Sequence, residues 1–221
     1  MSRTSRAPRR ADALSRDRIV EAAIEILDTD GEGALTFRAL TTRLSTGAGA
    51  IYHHVANKDE LLAAATDGVI AGALAGRDAG EPREAVRGVA LAVFDAIDGH
   101  PWVGTQLSRE PWQPAVLRIF EGIGGRLGVL GVAEAAQFDT TTALLSYILG
   151  LAGQYAAAAR LLEPGTDREE YLSAIADRWG RLDPVVYPFV HRMAAQLSTH
   201  DDREQFLAGV DLILAGIDTL R

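Results

Sequence analysis

The sequence predicts an all-α protein of about ten helices, in which a small three-helix N-terminal domain precedes a larger C-terminal helical domain. Apolar residues recur at intervals of three and four along most of the 221 residues, and no convincing strand-like alternation interrupts them. Capping residues, glycines and prolines divide this pattern into separate segments. With 48% apolar residues, the chain can bury one large core or two modest ones.

The first helix is predicted between a cap at Ser15 and a stop at Asp30-Gly31. Its inward face carries five apolar residues at helical spacing: Ile19, Ala22, Ala23, Ile26 and Leu27. We therefore expect an amphipathic helix to open the folded part of the chain.

Two short helices joined by a tight turn are predicted between Leu35 and Lys58. The first follows a cap at Thr36 and buries Phe37, Leu40 and Leu44. Ser45-Thr46-Gly47 then interrupts the apolar periodicity. The break in periodicity places the turn at these three residues.

The second short helix is predicted from about Ala48 to Val55, with Ile51 and Val55 facing inward. Its outward face carries small residues, an aromatic residue and histidine, which suit a DNA major groove better than a protein core. Asn57 and Glu60 form a capping box that starts the next helix. The layout is that of a DNA-reading helix-turn-helix.

The C-terminal part is also predicted to be helical, and a short aromatic-rich segment follows the second of its helices. The predicted helices cover Lys58 to about Ala75, Pro82 to about His100, Pro114 to Gly131, about Ala133 to Glu163, Asp167 to about Leu182, Asp183-Pro184 through Leu197, and about Asp202 to Leu220. Two of these helices, the longest and the last, are apolar on nearly all sides. Such helices are buried all round, either within the chain or against a second copy.

The block LTFRALTTRLSTGAGAIYHHVANKDELL resembles the N-terminal domain of the tetracycline-repressor (TetR) family of bacterial transcription regulators. Eleven residues match the family pattern: Thr36, Arg38, Leu40, Leu44, Tyr52, His54, Val55, Asn57, Lys58, Leu61 and Leu62. The resemblance implies a homodimer on a double-stranded, pseudo-palindromic DNA operator, with the longest and the last helices pairing across the two-fold axis. Two recognition helices then meet major-groove faces about 34 Å apart.

Side-chain chemistry separates the predicted DNA contacts into positioning and reading groups. The predicted DNA-binding residues are Thr36, Arg38, Ala48, Gly49, Ala50, Tyr52, His53, His54 and Lys58. Lys58, at a helix N-terminus, suits a phosphate, and Thr36, Tyr52 and His53 offer hydrogen bonds to backbone oxygens. Arg38 alone can read guanine bidentately, while Ala48 and Ala50 suit thymine methyls. We expect His54 to serve packing within the motif in preference to a DNA contact.

The turn departs from the family habit, because Gly-Val is usual where this chain has Ser45-Thr46. Where a turn demands a positive φ, glycine is the least strained residue, and a serine there costs on the order of 1 kcal/mol. We therefore expect some backbone strain at Ser45.

The resemblance also implies that the C-terminal region binds a small molecule in a cavity among its helices, and that binding respaces the DNA-binding domains. Polar and aromatic residues within the apolar pattern are the predicted pocket residues: His100, Trp102, Gln106, Arg109, Trp112, Tyr147, Gln154 and Tyr155. Each has an alternative: the tryptophans can pack in the core or a lid, and Gln154 and Tyr155 can lie in a dimer interface. The expected effector is a small hydrophobic or aromatic molecule.

Enzymatic chemistry is not indicated. The chain has no cysteine, no histidine spacing typical of a metal site and no nucleophile-elbow motif, so we predict neither a metal nor another cofactor. The glycines near Gly124 miss phosphate-loop spacings and indicate close helix packing. Neither a secretory signal nor a membrane span is predicted, and we expect a cytoplasmic protein.

Charge is distributed unevenly along the chain. Residues 1–60 hold nine Lys/Arg and nine Asp/Glu, so the net charge of −8 falls on the remainder. Residues 1–10 carry four arginines and no acid, and this arm either follows DNA or is a solvated tail. The predicted organisation is a basic flexible arm (1–14), a helix-turn-helix domain (15–60) and a ligand-binding and dimerisation domain (61–221).

The leading hypothesis is a ligand-responsive transcription repressor. The alternatives are a DNA-binding regulator that needs no effector, an activator, and an α-helical enzyme or carrier with an incidental helix-turn-helix. Loss of duplex binding on substitution of the predicted DNA contacts would favour a repressor, an effector-independent regulator or an activator over an enzyme or carrier.

Overall fold

A computed structural model describes residues 14–77, 80–159, 167–197 and 200–218, and these residues form eleven α-helices and one short 3₁₀ turn. The all-α prediction is therefore confirmed. No helix among the described residues is long and apolar enough to cross a membrane. The predicted basic arm lies outside the described residues, except for its last position.

The N-terminal region begins with α1 and closes with the start of α4. Its elements are α1 (Arg16–Asp30), a 3₁₀ turn (Glu32–Ala34), α2 (Phe37–Leu44), α3 (Ala48–Tyr52) and α4 (Lys58–Leu74). The predicted caps are confirmed, since Thr36 Oγ1 accepts from the Ala39 amide at 3.1 Å and Ser15 Oγ accepts from the Arg18 amide at 3.3 Å. These caps satisfy amides that have no partner within the helix, so local sequence fixes where α1 and α2 begin.

The predicted cap at Asn57 is confirmed as well, and Glu60 reaches back as expected, but to the amide of the residue before the cap. Asn57 Oδ1 accepts from the Glu60 amide at 2.8 Å, and Glu60 Oε2 accepts from the Ala56 amide at 2.9 Å. The helix before it, α3, ends at Tyr52, three residues earlier than predicted. The His54 and Val55 amides both donate to the Ile51 carbonyl, so the chain turns tightly and still keeps Val55 buried.

The C-terminal region contains seven further helices. They are α5 (Pro82–Gly99), α6 (Pro101–Arg109), α7 (Pro114–Val129), α8 (Glu134–Ala159), α9 (Arg168–Gly180), α10 (Pro188–Leu197) and α11 (Asp202–Ile217). The predicted ends of α8 at Glu163 and of α11 at Leu220 lie outside the described residues.

Two places in the C-terminal region differ most from the sequence prediction. The aromatic-rich segment after His100 is the helix α6, because Pro101 ends α5 and fits the first position of a new helix. Asp183 caps a local turn by accepting from the Val185 amide at 2.8 Å, so α10 starts only at Pro188. Pro101 and Asp183 each indicate a change in the chain at these positions, but neither residue distinguishes a turn from the start of a helix.

Helix α5 lies at the centre of the C-terminal core, where it packs against α4, α7, α8 and α11. Its fully buried residues include Val86, Ala90 and Val93. Nearby, α7 and α8 approach closely, since a Cβ added at Gly124 would lie 3.2 Å from Thr141 Oγ1. This contact supports close helix packing as the role of that glycine.

Helices α8 and α11 pack against each other within the chain. The Tyr147 ring on α8 stacks on Phe206 of α11 at 5.7 Å, and its hydroxyl donates to the Phe206 carbonyl at 3.1 Å. A Cβ added at Gly209 would lie 2.0 Å from the Tyr147 hydroxyl, so α11 requires glycine there. Burial within one chain does not account for Leu212, whose surface is 76% exposed.

Helix α4 joins the two regions. It packs against α1 on one side and against α5, α6 and α7 on the other. It also runs through the predicted domain boundary after residue 60, and that boundary stays a prediction.

Candidate DNA-binding surface and ligand groove

The turn between α2 and α3 is centred on Ser45, which adopts φ 50° and ψ 45°. Ser45 is the one non-glycine residue in the described ranges with a positive φ. Its amide donates to the Thr42 carbonyl at 3.3 Å, which closes the turn. The expected strain is therefore present, because this left-handed conformation is costly for a residue with a Cβ.

The outward face of α3 is small and open to solvent. Ala48, Gly49 and Ala50 are exposed, whereas Ile51 is completely buried. Tyr52 is 54% exposed and its ring stacks on Phe37 of α2, with 4.3 Å between centroids. The backbone of α3 can thus approach a partner closely, beside an aromatic ring that α2 holds in place.

Two predicted contacts lie at the start of α2. The Thr36 side chain is exposed and also caps α2, so its hydroxyl has two uses. Arg38 is exposed in the first helical turn, and no residue in the described parts of the chain pairs with its guanidinium. Arg38 is thus available to an external acceptor.

The remaining predicted contacts follow α3. His53 is exposed, while His54 is half-buried with its ring edge-on to His53 at 5.6 Å. Lys58 Nζ donates to the Glu32 carbonyl at 2.7 Å, which ties the start of α4 to the 3₁₀ turn. The structure thus places all nine predicted DNA contacts between the start of α2 and the start of α4. The sequence had not indicated the bond made by Lys58.

Two exposed ion pairs hold the motif to α1 and α4. Arg43 on α2 pairs with Glu25 on α1 at 2.8 Å, and Arg16 pairs with Glu60 at 3.1 Å. Sequence reasoning missed both pairs because their partners are distant along the chain. Exposed pairs of this kind contribute only about 0–1 kcal/mol, so their main effect is on orientation.

A polar cluster connects the N-terminal region to α6, and we call it the α6 latch. It consists of Asp28 and Glu32 on one side and His100, Trp102, Gln106 and Arg109 on the other. Asp28 Oδ1 accepts from Trp102 Nε1 at 2.7 Å and lies 2.8 Å from His100 Nδ1. Glu32 accepts from Arg109 at 2.8 Å and from Gln106 at 3.0 Å.

Glu32 is the carboxylate of the α6 latch that pairs with an arginine. The hydrogen bond from Arg109 is the main cause that lowers the pKa of Glu32, although partial burial acts in the opposite direction. A cleft of about 480 Å³ lies beside the latch and is lined in part by Asp28, Glu32 and Trp102. Four of the predicted pocket residues therefore bind carboxylates of the DNA-binding region.

The other four predicted pocket residues lie elsewhere. Trp112 is 70% exposed and Gln154 is exposed on α8. Tyr147 and Tyr155 bond to α11, the latter through the Gln205 side chain. Burial, helped by nearby Asp202, raises the pKa of Tyr155 to about 12. The structure therefore does not bring the eight residues together in one cavity.

A larger groove of about 750 Å³ opens between α4, α5 and α7, and we call it the α4–α7 groove. None of the eight predicted pocket residues is among those that line it. Its polar lining consists of Arg77, Arg118, Glu121 and Arg126. Sequence reasoning missed the groove because three helices, distant along the chain, supply its walls.

Comparisons with known proteins agree on one family. The family model described as "Bacterial regulatory proteins, tetR family" matches residues 19–65, and the model "Tetracyclin repressor-like, C-terminal domain" matches residues 76–221. The structure of the transcriptional regulator SCO7222, a TetR from Streptomyces coelicolor, is similar, with a TM-score of 0.87 and 50% identity. That likeness covers 94% of this chain and 99% of SCO7222.

Two relatives are similar in sequence. An HTH-type transcriptional regulator of Saccharopolyspora erythraea is 30% identical over 62% of this chain, and the match spans only 59% of that protein. The HTH-type transcriptional repressor DrrR1 of Streptomyces coeruleorubidus is 26% identical over 99% of this chain and 82% of its own length. With family models matching both regions and the helix-turn-helix in place, this chain belongs to the TetR family of bacterial transcriptional regulators.

Proposed function

We propose that this chain is a ligand-responsive repressor, which binds a pseudo-palindromic DNA operator as a homodimer and releases it when a small molecule binds. Members of the family bind DNA operators and small-molecule effectors, typically as dimers, and are generally not enzymes. The observation that carries the proposal is the exposed, small-residue face of α3, a helix that the buried Ile51 holds in place. A helix with such a face fits the major groove.

DNA recognition is assigned to residues 15–60, with a division of labour within the motif. Arg38 reads a guanine, because its exposed guanidinium offers two parallel donors. Ala48 and Ala50 contact bases through their methyl groups. Tyr52 binds the DNA backbone and so positions the protein on the duplex. The residue 1–14 arm adds contacts along the duplex in this proposal.

Dimerisation is assigned to α8 and α11, within the proposed 61–221 domain. The outer faces of these helices expose small or apolar residues: Ala143, Ser146, Gly150 and Ala157 on α8, and Ala208, Leu212 and Ala215 on α11. Small residues let two helices approach closely, and Leu212 is a large apolar side chain left in solvent within one chain. A second copy covering this face would bury it.

The ligand response requires a connection between the two regions, and the α6 latch supplies one. Asp28 lies in the last turn of α1, and Glu32 lies just after that helix. Their partners lie on α6, except His100, which immediately precedes it. Any ligand-bound state that shifts α6 must lengthen or break these bonds, which changes the orientation of the DNA-binding region. A ligand that prefers that state lowers DNA affinity by population shift.

The test starts from duplexes selected out of random DNA by the full-length protein. A two-fold symmetric consensus is expected, and no enrichment at all would reject the proposal. Arg38→Ala should relax selectivity at one base pair of each half-site by about 1–3 kcal/mol. Arg43→Ala is the matched control, because Arg43 lies on the same helix but pairs with Glu25. If Arg38→Ala stays as selective as the wild type, the assignment of Arg38 is wrong.

A further inference from the structure

The α4–α7 groove has the size and apolar walls of a small-molecule site. Its volume of about 750 Å³ falls within the range of about 300–1,000 Å³ that drug-sized ligands occupy. The apolar walls come from Ala71, Leu74, Ala75, Val89, Pro114 and Leu117. Leu117 is 49% exposed, and the groove accounts for this exposure.

The groove is also richer in positive charge than the chain as a whole. Arg77, Arg118 and Arg126 line it, against one lining carboxylate, Glu121, and the nearby Asp67 that binds Arg118. The chain carries a net charge of −8, so a groove with three guanidiniums and two carboxylates stands out. Charge complementarity therefore favours an anionic occupant.

Two of the arginines that line this groove, Arg118 and Arg126, lie on α7 and also bond to α4 or to the residues just after it. Arg118 donates to both carboxylate oxygens of Asp67, at 3.2 and 3.1 Å. Arg126 donates to the Arg77 carbonyl just beyond the end of α4, at 3.1 Å. Three hydrogen bonds from α7 therefore hold the second half of α4 and the residues just after it, distant from the helix-turn-helix.

We propose that the effector is an organic anion with an apolar body, which binds in the α4–α7 groove and takes Arg118 from Asp67. Arg118 suits this role because a guanidinium binds a carboxylate or sulfonate through two parallel hydrogen bonds. The apolar body packs on the groove walls. Loss of the Arg118–Asp67 pair removes one of the contacts by which α7 holds α4, and α4 is the next helix along the chain after the DNA-reading helix. This inference rests on the proposed ligand-responsive function, and it names the site and the chemical class of the ligand.

The test uses two fluorescent probes that differ chiefly in charge. One is 8-anilinonaphthalene-1-sulfonate, and the other is the uncharged N-phenyl-1-naphthylamine with the same aromatic rings. The sulfonate should bind the full-length protein at one site per chain. It should also lower the affinity for a selected duplex, whereas the uncharged probe should bind more weakly.

Three variants assign the binding to this groove. Arg118→Gln should weaken sulfonate binding at least tenfold and change binding of the uncharged probe less than twofold. Gly125→Leu should block both probes, since the added side chain projects into the groove and its Cβ meets only Glu121 Oε1, at 3.8 Å. Arg203→Gln, which removes the exposed pair with Asp95, is the control and should change neither.

The outcomes separate this inference from the proposed function. Equal sulfonate affinity in all three variants overturns the site, and an equal loss of both probes in Arg118→Gln overturns the ligand class. Because Gly125→Leu adds a side chain at an exposed helical position, it decides the site even where Arg118→Gln is unfolded. Sulfonate binding in the groove without duplex release overturns the effector role. Failure to select any duplex rejects the repressor proposal itself, whatever the probe results.

Discussion

The DNA-binding region and the C-terminal region differ in how some of their predicted functional side chains are placed. In the helix-turn-helix, Arg38 and His53 stay in solvent, and the few buried residues such as Ile51 hold a short helix in place. In the C-terminal region, Gln106 and Tyr155 are bonded to neighbouring elements. A DNA surface can therefore be formed by side chains that make no hydrogen bond within the described parts of the protein. A ligand that binds these C-terminal side chains must instead replace hydrogen bonds that they already make.

The two regions also differ in what limits their packing. Helix α3 has only five residues and relies on backbone turns at both ends, whereas α8 has 26 residues and packs along its length. We therefore expect local conformation to matter most at the turn before α3, and side-chain fit to matter most where α8 packs against α11. Four substitutions test this difference.

The largest effect is expected from Leu212→Glu on α11. If the exposed α8–α11 face is the dimer interface, a carboxylate there is buried without a partner, which strongly opposes association. Light scattering should report a monomer, and affinity for a selected duplex should fall about 100-fold or more, because bivalent binding is lost. Val129→Glu places the same charge on an equally exposed apolar residue of α7 and should leave a dimer. A Leu212→Glu protein that stays dimeric would contradict the assigned interface.

The second effect is expected from Gly209→Ala. The added Cβ would lie 2.0 Å from the Tyr147 hydroxyl, and overpacking of this kind costs about 1–3 kcal/mol. Gly88→Ala on α5, whose added Cβ meets nothing within 4 Å, should instead gain about 0.5–1 kcal/mol. Urea unfolding at one protein concentration measures both. Equal stability of the two variants would show that side-chain fit does not limit this region.

The third effect is expected at Ser45, where the substitution tests the cost of a local backbone conformation. Glycine adopts the left-handed region without the Cβ clash, so Ser45→Gly should stabilise the protein by about 1 kcal/mol. For a chain of this size the melting temperature should rise by about 2–4 °C. Ser173→Gly, inside the helix α9, should lower it. An unchanged or lower melting temperature for Ser45→Gly would count against strain at this turn.

The smallest effect is expected where the two regions meet, at Glu32. Its pKa lies below the ordinary value of 4.5, so its stabilising contribution is present above that value and is lost as the pH falls through the lowered pKa. In Glu32→Gln, the fall in melting temperature between pH 5.5 and pH 3.5 should shrink by about 1–3 °C. Glu21→Gln, on the exposed side of α1, should reproduce the wild-type fall. Identical acid profiles for all three proteins would mean that the α6 latch adds no stability.

The features that depend on neighbours within a few residues could be predicted from the amino-acid sequence. The caps at Ser15, Thr36 and Asn57 were predictable because each bonds an amide three residues ahead. Strain at Ser45 was predictable because the resembled family usually has glycine at that position of the turn. The family resemblance follows from this same local pattern, and the family matches confirm it.

The arrangement of the C-terminal region depends on how distant helices pack, and it could not be predicted from the sequence. Trp102 was a reasonable pocket residue by type, yet it bonds to Asp28, 74 positions earlier in the chain. The α4–α7 groove similarly brings Arg77 and Arg118 together from separate helices. Spacing along one helix shows which residues share a face. It does not show which partner that face meets, because the partner is fixed by how distant helices pack.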